Sequence, residues 1–245
     1  MLVEILLATL FVSALSLSGI LLLSLQKRMQ EALVFIILGF ATGSLLAAAF
    51  FDLLPEAIEG LPSENVFATT LGGIMVFFIL ERLVHWHHEH HDHKEHEKPV
   101  AYLVLIGDGI HNFFDGVAIA AAFLTSMPLG IATTFAIMMH EIPQEISDYT
   151  LLIYAGFSTK KALLANLLSG LAAVVGAIFF FYMSGYVENL QFYGLAFAAG
   201  GFIYIAASDL IPELHKQENM QAWVQLAAIF LGIATMWAMA NYLHA

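Results

Sequence analysis

A chain of 245 residues that is 60% hydrophobic and only 11% charged is not an ordinary soluble domain, where about 25% of residues carry charge. It reads as one all-α integral membrane bundle over residues 1–245. The absence of cysteine excludes disulfides, thiolate metal ligands and thiol redox chemistry, and the net charge of −12 argues against a nucleic-acid partner and suits a protein that handles cations, although acidic loops alone give the same balance.

Eight apolar runs follow one another, each near the ~20 residues that a bilayer requires. The first, Leu2 to Leu25, contains Glu4 and lacks the basic start of a signal peptide, so it is expected to stay as a transmembrane helix. The second, Ala32 to Pro55, ends in Asp52-Leu-Leu-Pro-Glu56. The third is Val66 to Val84. A polar block, 85–98, carries His85, His87, His88, His90, His91, His93 and His96 among acids, a composition that chelates metal weakly. The fourth run, Val100 to Leu124, is joined by the short turn Thr125 to Pro128 to the fifth, Leu129 to Phe157, which Pro143 interrupts by removing a backbone donor. The sixth is Ala162 to Gly185, the seventh Phe192 to Pro212 and the eighth Ala222 to Leu243.

All eight Lys and Arg residues fall in alternate connections or at their borders: Lys27 and Arg28, then Arg82, Lys94 and Lys98, then Lys160 and Lys161, then Lys216. The positive-inside rule makes that side cytoplasmic and places both termini outside the cytoplasm. A short chain without a sorting signal reads as a prokaryotic inner (plasma) membrane protein. A repeat is also present. Phe40-Ala-Thr-Gly43 precedes Asp52-Leu-Leu-Pro-Glu56 by the spacing with which Phe197-Ala-Ala-Gly200 precedes Asp209-Leu-Ile-Pro-Glu213. The two runs point in opposite directions, so the repeats are inverted, as in secondary transporters. Gly39 and Gly43 have the spacing of a close helix contact.

The chemistry lies in runs four and five. His111 and Asp115 share a helix face, as do His140 with Gln144 and Glu141 with Glu145. Asp115, Glu141 and Glu145 facing lipid would cost on the order of 8–10 kcal/mol, so they are expected to face one another, water or a cation. Imidazole with carboxylate suits zinc, iron(II) or manganese, and the neutral amides of Asn112 and Gln144 suit a site that must release its ion. Asp108 and Asp148 lie one turn from these groups and could orient them or continue the ion's path.

Leu105-Ile-Gly-Asp-Gly-Ile-His-Asn-Phe-Phe-Asp-Gly-Val-Ala-Ile119 and His140-Glu-Ile-Pro-Gln-Glu145 resemble the fourth and fifth helices of the ZIP (Zrt/Irt-like) divalent-metal transporters, nearest the subfamily whose fifth helix reads His-Glu-x-Pro-His-Glu. The resemblance covers essentially the whole chain, including the two Asp-x-x-Pro-Glu segments and the His-rich loop. It implies an eight-helix transporter that is not an enzyme. Its cargo would be zinc, or iron, manganese or cadmium, brought into the cytoplasm, with no resident cofactor required. It also implies a one- or two-metal site between helices four and five, with His111, Asn112, Asp115, His140, Glu141 and Gln144 at the family's ligand positions and Glu145 at the subfamily's second Glu. A homodimer is implied, with helices one, four, five and six moving against two, three, seven and eight. Gln144 replaces the subfamily's usual His, run six has no acid, and Asp52 stands where relatives often carry His. The alternatives are a metal-selective channel or sensor and an intramembrane metal-dependent hydrolase. The hydrolase motif His-Glu-x-x-His requires a second histidine, and position 144 lacks it.

Overall fold

Among the described residues of the computed structural model, namely 1–18, 27–89, 97–215 and 222–243, every regular element is helical. Helix α1 is Leu2–Ala14 and closes in a 3-10 turn, Leu15–Leu17. Helix α2 is Lys27–Ala47, continued by a π turn, Ala48–Leu53, into Leu54–Gly60. Helices α3, α4 and α5 are Ser63–Glu89, Glu97–Thr125 and Met127–Tyr154. Helix α6 comprises Thr159–Gly170 and Ala172–Met183, broken at Leu171. Helix α7 is Leu190–Ile205, continued by a second π turn, Ala206–Leu210, into Ile211–His215, and α8 is Ala222–Leu243.

Six of these rods are long and apolar enough to cross a membrane. The other two are α1, described here as a shorter apolar helix over Leu2–Leu17, and α5, whose polar stripe from His140 to Asp148 lowers its mean hydropathy. Within the His-rich segment, His90, His91, His93 and His96 lie outside the described residues. Of His85, His87 and His88 only the backbone, in the last turns of α3, is described.

Local chemistry explains the joints. Ser126 alone separates α4 from α5; its side chain accepts the Leu129 N–H at 3.2 Å, and a proline sits in the first turn that follows. So short a joint makes α4 and α5 antiparallel neighbours. Helix α5 then runs unbroken through Pro143. At the break in α6, the Gly170 carbonyl accepts a hydrogen bond from Ser13 Oγ of α1 at 2.7 Å. Each π turn precedes a proline, Pro55 or Pro212. A proline ring clashes with the carbonyl four residues back and donates no hydrogen bond. Widening the turn relieves this: Leu54 N–H bonds to Ala49 O and Ile211 N–H to Ala206 O, both five residues back. Asp52 and Asp209 both lie within these turns, but Asp52 is buried and Asp209 is exposed.

Helix α4 packs along α6 and α5, with α1 against α5 and α6; α2 packs along α8, and α3 along α7. The two sets meet where α4 lies on α7 and α5 on α2. The glycines of the repeat are the closest points within the second set. A Cβ on Gly43 would overlap the Ile229 carbonyl oxygen of α8, and one on Gly200 the Thr70 carbonyl oxygen of α3. Helix α4 is central: from Val117 to Phe123 it is buried on all sides.

Candidate metal centre

Just before that buried stretch, α4 presents His111 and Asp115 one turn apart. Helix α5, held antiparallel to it, presents His140 and Glu141. The four side chains converge. His111 Nε2 lies 3.2 Å from His140 Nε2, 3.7 Å from Asp115 Oδ2 and 3.4 Å from Glu141 Oε1. His140 Nε2 lies 3.4 Å from each carboxylate, and all four atoms fall within 4.8 Å of one another. This is the only such group of three or more His, Asp or Glu ligands among the described residues. Four ligands at 2.0–2.1 Å from a tetrahedral zinc stand about 3.3–3.4 Å apart, so the five spacings that involve a histidine nitrogen, 3.2–3.7 Å, are close to those of a cage around one ion of that size.

The protonation pattern agrees. The His140 Nδ1 lies 3.4 Å from the Ala136 carbonyl, which can only accept; the tautomer with its proton on Nδ1 suits this contact and leaves the Nε2 lone pair for the centre. Asp115 Oδ2 and Glu141 Oε1 are buried and have no hydrogen-bond donor. Two imidazole nitrogens and two carboxylate oxygens directed at one point are a donor set suited to a cation. Outside the cage stands an aromatic wall from α3 and α7: Phe77 meets the His111 ring edge-on at 5.9 Å, and Phe202 lies 6.2 Å from the His140 ring. Phe197 of α7 continues it and meets Phe114 of α4 at 5.2 Å. The cage thus lies where the two helix sets meet.

Asn112, Gln144 and Glu145 have other partners. Asn112 Nδ2 donates to Asp108 Oδ1 and to the Asp108 carbonyl, and Gln144 Nε2 also donates to Asp108 Oδ1. Glu145, 1% exposed, accepts a hydrogen bond from Ser16 Oγ, while its carbonyl accepts from Asn166 Nδ2 at 3.1 Å. Glu145 therefore ties α5 to α1 and α6. The polar Asn166 in an otherwise apolar run was the visible signal of this contact; Ser16 gave none. Ser16→Ala leaves the buried Glu145 carboxyl short of one hydrogen bond, a loss of about 1–3 kcal/mol. Its melting temperature should fall while stabilisation by added zinc persists, since the cage is intact. Loss of that zinc effect would bring Glu145 into the cage.

These features describe an integral membrane protein with buried metal-ligand side chains between antiparallel helices. The chain belongs to the ZIP zinc transporter family, whose sequence profile matches residues 2–101 and 86–240. It is 32% identical to zinc transporter zipt-7.2 of Caenorhabditis elegans over 96% of this chain and 64% of that protein. It is 41% identical to human zinc transporter ZIP10 over 47% of this chain and 14% of that protein, and 37% identical to human zinc transporter ZIP4 over 56% and 20%. The chain thus spans less than two thirds of the length of each. All three are animal proteins, so the expected prokaryotic membrane draws no support from them.

Proposed function

We propose that this chain carries divalent transition-metal cations, zinc foremost, across a membrane into the cytoplasm, and that His111, Asp115, His140 and Glu141 bind the ion between α4 and α5. The observation that carries this is the convergence of their four ligand atoms at tetrahedral spacings. The ion is cargo. Two imidazoles and two carboxylates replace the water it sheds, and the two anionic charges balance its own. Mixed nitrogen and oxygen ligands without thiolate hold zinc loosely enough to release it.

In this reading α1 and α5 cross the membrane with the other six rods. The basic residues mark the cytoplasmic side, both termini lie opposite, and the α2 and α7 repeats are inverted. The set of α1, α4, α5 and α6 carries the cage past the aromatic wall of α3 and α7, in a homodimer. The His-rich segment captures or senses the same ions weakly on the cytoplasmic side, and replacing its seven histidines by Ser should leave maximal uptake nearly intact. A hydrolase is not favoured, because position 144 carries an amide that donates to Asp108.

The test is uptake into liposomes containing the purified chain, with zinc, cadmium, iron(II), manganese and magnesium compared. Saturable zinc uptake supports a carrier; flux linear in concentration supports a channel; none at all defeats the proposal. Gln144→His adds an imidazole one turn from His140 and should shift competition towards zinc over manganese. An unchanged profile would place residue 144 away from the ion.

A further inference from the structure

We propose that Asp108 is a positioning residue for ion recognition, fixing through its carboxylate which atoms of the Asn112 and Gln144 amides are left for the ion. The inference rests on the cage being the ion's site. Asp108 is 4% exposed and Asn112 is fully buried. Asn112 Nδ2 donates to Asp108 Oδ1 at 3.0 Å and to the Asp108 carbonyl at 3.1 Å. Gln144 Nε2 donates to the same Oδ1 at 3.2 Å.

A carboxylate only accepts, so both amides must turn their nitrogen to it. The two N–H bonds of Asn112 are thereby used, and its Oδ1 is left buried with no donor. An amide N–H repels a cation, whereas an amide oxygen attracts one. Without the Asp108 carboxylate the Gln144 amide could flip and Asn112 would be held by the Asp108 carbonyl alone, so the ion would meet a less firmly set pair of amides. The same carboxylate joins the helices of the cage: Asp108 lies three residues before His111, and Gln144 four residues after His140. It therefore also sets the spacing between the α4 pair and the α5 pair, one turn away. Amide oxygen favours harder ions than imidazole does, so fixing its orientation bears on which ion is accepted.

The test is a mutant cycle in proteoliposomes. Asp108→Asn keeps the shape and one acceptor oxygen, but its amide can turn an N–H instead of that oxygen to Asn112 and Gln144, so their orientation is no longer fixed. The variant should raise the zinc KM at least fivefold, keep the maximal rate within twofold, and alter zinc-against-manganese competition. In an Asn112→Ala, Gln144→Ala background, which already has the raised KM, adding Asp108→Asn should change it less than twofold. An unchanged KM in Asp108→Asn, or the same fold-change in both backgrounds, overturns the proposal. If Asp108→Asn does not fold, Asp108→Glu, which keeps both acceptor oxygens, is measured instead; it should hold the KM within twofold, and a fivefold rise overturns the proposal. Zinc-dependent stabilisation of purified Asp115→Ala, measured in parallel, separates the two readings. If it equals the parent's, the cage assignment fails. If it is lost while Asp108→Asn behaves as the parent, only the role of Asp108 fails.

Discussion

Asp115→Ala or Glu141→Ala is expected to abolish zinc uptake while the protein still inserts. In the proposed site each removes one of four ligands. Structural zinc-finger sites bind zinc with about 10–16 kcal/mol, so one ligand in four is worth at most roughly 2.5–4 kcal/mol, or about two to three orders of magnitude in affinity. Insertion should not suffer, because a charge at mid-membrane costs about 2.5–3.5 kcal/mol and the mutation removes it. The metal-free mutants should melt no lower than the parent, since two like charges no longer share one cage. The zinc response should move the other way. In the parent, zinc at 100 times its Kd adds about 2.7 kcal/mol; a 100-fold loss of affinity leaves roughly 0.4 kcal/mol at the same concentration. Parent-like uptake together with a parent-like zinc shift in both mutants would sink the assignment of the site to α4 and α5.

Gly116→Ala is expected to damage both stability and transport. The added Cβ would overlap the carbonyl oxygen of Ala173 on α6; reciprocally, a Cβ on Gly176 would overlap the Phe113 carbonyl oxygen of α4. Backbone meets backbone at both points, so no rotamer change relieves the clash. The helices must separate, and overpacking of this kind costs about 1–3 kcal/mol or more. At 3 kcal/mol the melting temperature falls by roughly 6–12 °C for a chain of this size. Gly116 adjoins Asp115, so parting α4 from α6 also shifts a ligand out of the cage. Gly72→Ala on α3, where a Cβ meets nothing within 4 Å, is the control and should be silent. A normal melting temperature in Gly116→Ala would mean that α4 and α6 are not in contact.

The helices were legible because apolar length and the placement of charge are written along the chain. The order of the eight runs, the short joint at Ser126 and the close-packed Gly43 all follow from local sequence. The π turns were not foreseen, although Pro55 and Pro212 mark their position. The α4 half of the cage was legible too, since His111 and Asp115 are four apart on one face. The α5 half was only partly so. Four-residue spacing pairs His140 with Gln144 and Glu141 with Glu145, yet the structure takes the adjacent His140 and Glu141. Neighbours on a helix point about 100° apart, and they reach one point only when it lies between them. Where that point falls is set by α4, which the α5 sequence does not record. Glu145 turns instead to Ser16, 129 residues away, a pairing with no local periodicity to betray it.

The paired π turns also carry a history. Such a turn holds one residue more than the α-helix it interrupts. Both halves of the chain hold it at the same place: the widened bond starts at the carbonyl six residues after the close-packed glycine, Ala49 or Ala206, and the turn runs into Asp-x-x-Pro-Glu. If the two halves share an origin, one insertion before the duplication accounts for both, whereas two later insertions would have had to strike the same position twice. On that origin the unit that was copied already had its widened turn and its acid. Burial of Asp52 and exposure of Asp209 is then a divergence in setting that followed the duplication, not a difference in design. A relative whose two glycine-to-aspartate spacings differ by one residue would break this inference.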